Sequence, residues 1–183
     1  KKLYPGDIGP STGEMGTTMF WSEPTRLFNA TLKKMESRLR EEHYVGYIDV
    51  NCMVNSNGIY PLEFTSRFGY PTISIQQEGM LTPIGELFYR LAEGSITSFK
   101  ARSGFQVGVR IMVPPFPYTD PETFAKTSKD AVIIFKKPTR DGVHIEDVKQ
   151  INNEWVVTGT SGVVLIVVGT GTTMKAAQKQ AYN

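Results

Sequence analysis

Apolar positions follow a helical spacing near the start of the chain and a strand spacing over most of its second half. Leu27, Phe28, Leu32, Met35 and Leu39 predict a helix, with Ser22 as its cap and Pro24 in its first turn. The face carrying Lys33, Lys34, Glu36, Arg38, Arg40 and Glu41 reads as solvated. Residues 45–54 and 59–65 are strand-like and flank Asn55-Ser56-Asn57-Gly58, a strong hairpin signal. Residues 66–81 read as loop. A second helix follows, capped by Thr82, with Pro83 in its first position, Leu87, Phe88 and Leu91 as its buried stripe and Gly94 at its end. Strands are then expected at residues 106–113, 131–135, 154–158 and 163–168, and Pro114-Pro115-Phe116-Pro117 closes the first of them. A short helical turn starts at Asp120-Pro121. The chain closes with a helix from about Thr173, whose Ala176, Ala177 and Ala181 permit close packing on a sheet. The character of the sequence changes between residues 95 and 104. The expected organisation is α+β, with one unit over residues 1–98 and a small β-rich unit with a closing helix over 99–183.

Composition narrows the field without choosing a function. The 183 residues, 40% apolar and 21% charged, suffice for one good core or two small domains of a globular protein. A net charge of +2 gives nucleic-acid binding no support. Cys52, the single cysteine, cannot form an internal disulfide, which favours a reducing, cytoplasmic setting, and it reads as a buried small hydrophobe. The longest apolar run, residues 163–168, suits a buried strand rather than a membrane span, so no membrane partner is expected. No signal peptide is evident, and a chain that starts without Met and enters a glycine-rich segment at once reads as a piece of a longer protein.

Two segments carry candidate chemistry. Asp7-Ile8-Gly9-Pro10-Ser11-Thr12-Gly13-Glu14-Met15-Gly16 is rich in glycine, and backbone amides freed by glycines suit phosphate or carboxylate. Leu62-Glu63-Phe64-Thr65-Ser66-Arg67-Phe68-Gly69 is a strand ending in a carboxylate, a hydroxyl and a guanidinium, a set that suits a divalent metal and an anionic ligand. Together they point to a phosphate-handling enzyme. Strand alternation puts Glu63 on the face opposite Leu62 and Phe64. Asp49, on the preceding strand, is either a second metal ligand or an exposed hairpin carboxylate, with Asn51 an alternative on the same face. His43 and His144 have no partner ligands nearby and read as surface or helix-end residues. Lys136, Lys137 and Thr139-Arg140-Asp141-Gly142 read as exposed loop charge.

The first segment is similar to the D-x-G-P-x-T-G-G-M-G loop of glycinamide ribonucleotide synthetase, or phosphoribosylamine–glycine ligase. The second resembles that family's E-F-N-x-R-F-G, and Ser161-Gly162-Val163-Val164-Leu165 with Ala176-Ala177-Gln178-Lys179-Gln180-Ala181-Tyr182 looks like its closing strand and helix. The resemblance runs in order over essentially the whole chain. It implies the C-terminal half of an ATP-grasp domain followed by the small β-rich domain, without the N-terminal part that carries most adenine-side contacts. It further implies ATP-dependent joining of glycine to phosphoribosylamine through an acyl phosphate, with ATP and Mg2+ (or Mn2+). Glu63, Thr65 and Asp49 would be metal ligands. Arg67 would be the catalytic, anion-holding residue. Asp7, Pro10, Thr12, Gly13, Met15 and Gly16 would join it in substrate binding. Three departures stand out: Thr65 replaces the family's Asn, Glu14 replaces a glycine, and Tyr70-Pro71-Thr72 replaces D-P-E. They leave open an ATP-grasp ligase with another acid or amine, or a non-catalytic relative.

Overall fold

Val163–Gly171 forms a long strand in which nearly every residue is buried or half-buried. An unbroken apolar run of this kind needs cover on both faces. The computed structural model, which describes residues 2–95, 98–136 and 141–183, supplies it. In chain order the strands are β1 (Lys2–Tyr4), β2 (Ile8–Ser11), β3 (Gly16–Met19), β4 (Asp49–Asn55), β5 (Gly58–Thr65), β6 (Phe105–Met112), β7 (Val132–Ile133), β8 (Val143–Ile145), β9 (Val148–Ile151), β10 (Glu154–Val157) and β11 (Val163–Gly171). The helices are α1 (Arg26–Ala30), α2 (Glu36–Glu41), α3 (Thr72–Glu78), α4 (Ile84–Ala92), α5 (Pro121–Thr127) and α6 (Met174–Ala181), with a 3-10 turn at Leu32–Met35. The chain is thus mixed helix and sheet.

β11 is an inner strand of an antiparallel sheet ordered β3-β6-β11-β8. On one face Ile75 of α3 packs with Ile166, Val168 and Met19, and Ile75 and Ile166 are fully buried. Alternation turns Gly169 to the other face, where α6 lies so close that a Cβ on Gly169 would stand 2.1 Å from the Ala177 carbonyl oxygen. Ala177 is fully buried there, so the small residues of the closing helix do allow close packing. Toward the start of β11, Phe124 of α5 and Val157 of β10 form a second core cluster with Val164 and Leu165. A small sheet ordered β7-β10-β9 leads into that cluster.

Several expectations are corrected. The first helix is broken in two. Thr25, not Ser22, caps α1 through a bond from the Phe28 amide (3.2 Å), and Thr31 interrupts the helix. The Thr31 hydroxyl donates to the Leu27 carbonyl at 2.7 Å, the local side-chain-to-backbone competition that bends or ends helices. Thr82 does not cap the second helix: its hydroxyl accepts from the Lys100 amide at 2.8 Å, and Pro83 takes the cap position. Residues 66–81 are not all loop, since α3 forms within them. The strand expected at 131–135 shortens to β7, while β8 and β9 were not anticipated. Cys52 is half-buried rather than buried. The hairpin, the Asp120-capped α5 and the Thr173-capped α6 form as expected. The main sheet also crosses residue 98, because β3 pairs with β6. Lys136 and Asp141 are exposed, whereas Lys137, Thr139 and Arg140 lie outside the described residues.

Because α3 is docked through one fully buried side chain, Ile75→Ala is expected to cost about 2–5 kcal/mol in denaturant unfolding. A loss below about 0.5 kcal/mol would mean that α3 does not cover the sheet.

Candidate functional site

The hairpin β4–β5 sets the geometry. Asn55 closes it, its side-chain oxygen accepting from the amides of Asn57 (2.8 Å) and Gly58 (3.2 Å). The register pairs Asp49 with Thr65 and Asn51 with Glu63. Directly opposed residues two apart share one face, so all four oxygen-bearing side chains lie together. Asn51 Nδ2 donates to Glu63 Oε1 at 2.9 Å. A bulge beyond Asn51 shifts the pairing to Cys52 with Pro61 and leaves Leu62 as the extra residue, which stops the same alternation from running on toward the turn.

The environment is graded along this face. Glu63 is exposed, whereas Asp49 and Thr65 are half-buried. Asp49 Oδ1 is shielded and has no hydrogen-bond partner in the structure. Burial pushes the Tyr47 phenol upward; the neighbouring Asp49 carboxylate adds to this, while the bond from Gln76 Nε2 (3.1 Å) opposes it. Carboxylate, amide and hydroxyl oxygens without a thiolate or imidazole are a hard donor set. Among the described residues no group of three or more His, Cys, Asp and Glu side chains gathers, so any ion here relies on Asn51 and Thr65 or on a ligand's own oxygens.

Arg67 lies just past β5, exposed, with Nη1 donating to the Phe68 carbonyl at 3.0 Å. Phe68 stacks between Tyr47 (4.8 Å) and Phe88 (5.1 Å), which anchors this exit from the strand.

The glycine-rich segment divides. Asp7 is exposed at φ 62° in the turn of the β1–β2 hairpin, and Pro10 lies on β2. Gly13 is exposed and a Cβ there would meet nothing within 4 Å, so space does not require glycine. Gly16 differs: a Cβ would stand 2.3 Å from the Gly108 carbonyl oxygen, so β3 can approach β6 only without a side chain. Met15 accepts from the Arg110 amide at 2.9 Å. A groove of about 510 Å3 runs here, lined in part by Lys2, Tyr4, Met15, Gly16, Arg110 and Tyr182. Thr12 is half-buried and hydrogen-bonded or otherwise engaged.

Sequence reasoning missed two charged residues. Arg110 on β6 lies over the Tyr70 ring at 4.9 Å, and Glu146, just after β8, engages the Tyr70 hydroxyl. Burial raises the Glu146 carboxyl, against the Tyr70 bond and Arg110, which lower it. His144 is not merely a surface residue: half-buried, its Nε2 lies 3.0 Å from Glu78 Oε1 of α3. Its being the one charged residue of β6 was the available signal for Arg110; nothing in the sequence marked Glu146.

The proteins to which this chain is similar are ligases. More narrowly, they are named phosphoribosylamine–glycine ligase. The Mycobacterium leprae protein is 28% identical over 193 residues, covering 100% of this chain and 43% of its own length. The Thermotoga maritima protein is 29% identical over 195 residues, covering 100% and 44%. The crystal structure of the Thermotoga maritima phosphoribosylamine–glycine ligase superposes with a TM-score of 0.71 at 25% identity, over 100% of this chain and 45% of that one. No family model matches the chain. The resemblance read from the motifs therefore holds from end to end, and the chain spans less than half the length of these relatives. Among the described residues no helix is long and apolar enough to cross a membrane.

The raised Glu146 carboxyl has a defined consequence. Its stabilising effect is fully present below the ordinary Glu value of 4.5 and is lost as pH rises through the higher folded value. Glu146→Gln is expected to flatten that loss, so the variant gains on the parent as pH rises above 4.5 in paired denaturation curves. Parallel curves would contradict it.

Proposed function

We propose that the chain is the C-terminal part of an ATP-dependent ligase that joins glycine to phosphoribosylamine, in the second half of an ATP-grasp domain plus a small β-rich domain. The observation that carries this reading is the shared face of Asp49, Asn51, Glu63 and Thr65, on a chain similar throughout to ligases of that name. The γ-phosphoryl group of ATP passes to a glycine carboxylate oxygen, releasing ADP and leaving an acyl phosphate. The amine of phosphoribosylamine then attacks the acyl carbon. A C–N bond forms, the C–O bond to phosphate breaks, and the amine loses a proton. Such transfers depend mainly on positioning and charge stabilisation.

The donor set fits Mg2+, with Glu63 and Asp49 as carboxylate ligands and Thr65 or Asn51 supplying a neutral oxygen. Bound there, the ion would neutralise phosphate charge. Thr65 reaches less far than the Asn that the family carries, and Asn51, already directed at Glu63, offers the amide from the neighbouring strand. Arg67 holds a phosphate or carboxylate with its free guanidinium edge. Asp7, Pro10, Thr12, Gly13, Met15 and Gly16 form the substrate-side segment.

The hairpin also supports a longer parent. Met53, Val54, Tyr60, Leu62 and Phe64 are each about half exposed or more on a two-stranded sheet, which is marginal by itself in water. The N-terminal part of the same polypeptide would cover it and bring the remaining ATP contacts.

ADP release by the full-length protein, given ATP, Mg2+, glycine and fresh phosphoribosylamine, should require both non-nucleotide substrates. Glu63→Ala should lower it by at least about a hundredfold, in line with losing a charge-stabilising group. The 183-residue chain alone should release none. Release that persists in Glu63→Ala would overturn the metal assignment, and release requiring neither substrate would overturn the ligase.

A further inference from the structure

Arg110 touches the glycine-rich segment and Tyr70, the residue directly after the second segment. From β6, its Nη1 donates to the Glu14 carbonyl at 2.7 Å and its backbone amide to the Met15 carbonyl at 2.9 Å. Its Nη2 donates to the Tyr70 hydroxyl at 3.4 Å, and the guanidinium lies 4.9 Å from the Tyr70 ring centre and 6.0 Å from that of Phe116. Glu146 engages the same hydroxyl. Glu14 and Tyr70 are two of the departures from the family pattern, and one side chain joins them.

We propose that Arg110 is a positioning residue for the reaction: it clamps the 12–16 segment against Tyr70, and so fixes the substrate-side segment relative to Arg67. The inference rests on the function proposed above. The chemistry suits the task. A guanidinium is planar, offers divergent donors and stacks on aromatic rings, so it can hold a carbonyl and a phenol at once. An ammonium can do only part of this. Its Nε is buried without a partner, so the residue is poorly matched to a purely stabilising role.

Arg110→Leu in the full-length protein is expected to raise KM for glycine or phosphoribosylamine about tenfold, the size expected for a lost charge-assisted hydrogen bond. The value of kcat and KM for ATP should stay within about twofold. Arg110→Lys should recover only part of the loss. Tyr70→Phe should act in the same direction but less, and the double variant should fall short of the summed effects because the two groups share one interaction. In hydrogen exchange, Arg110→Leu should speed exchange of a peptide covering residues 11–18 about tenfold while leaving residues 49–65 unchanged. A fall in kcat alone, unchanged constants, or strictly additive double-variant effects would overturn the proposal. If no turnover occurs with glycine and phosphoribosylamine, the ligase reading fails separately, and hydrogen exchange still decides for or against Arg110: unchanged exchange at residues 11–18 refutes the clamp.

Discussion

Burial of Ile166 and Val168 on β11 beneath Ile75 of α3 holds the rest of the molecule in place. A strand apolar on both faces must be covered on both, and α3 and α6 do so from opposite sides. Docking α3 fixes where the chain leaves β5, because Arg67, Phe68 and Tyr70 lie between the hairpin and the helix. It also brings Tyr70 over Arg110 and Glu78 onto His144. The position of the candidate chemistry thus follows from a packing requirement several residues away.

The second constraint is register. A slip of one residue in the β4–β5 pairing would send alternate residues to opposite faces and scatter Asp49, Asn51, Glu63 and Thr65. The Asn55 turn and the bulge at Leu62 are the local devices that set it. Because the apolar side of this hairpin is open, its register is specified by these devices more than by a core.

Legibility in the sequence follows from how local each feature is. The hairpin could be read because Asn55-Ser56-Asn57-Gly58 is a local signal, and α5 and α6 because Asp120 and Thr173 cap within their own turns. Whether Asp49 and Glu63 share a face depended on the pairing register, which alternation within each strand does not fix and the structure supplies. The helix at 72–78 was missed because tertiary docking of Ile75, rather than a cap, sustains it: its N-cap makes no side-chain bond. The break at Thr31 depends on one hydroxyl turning back to Leu27, a choice that spacing cannot reveal. That Arg110 and Glu146 meet at Tyr70 became visible only when β6, β8 and α3 were brought together, since both are far from Tyr70 in sequence. The pairing of β3 with β6 across residue 98 is likewise nonlocal.

The proposed function requires that the Asp49–Glu63 face hold a metal with nucleotide. Calorimetric titration of the full-length protein with a non-hydrolysable ATP analogue, with and without Mg2+, tests it directly through Glu63→Gln and Asp49→Asn. Mg2+ is expected to strengthen binding to the parent, and Glu63→Gln to abolish this gain while binding without metal is unchanged, with Asp49→Asn reducing the gain. An undiminished Mg2+ effect in both variants would contradict it.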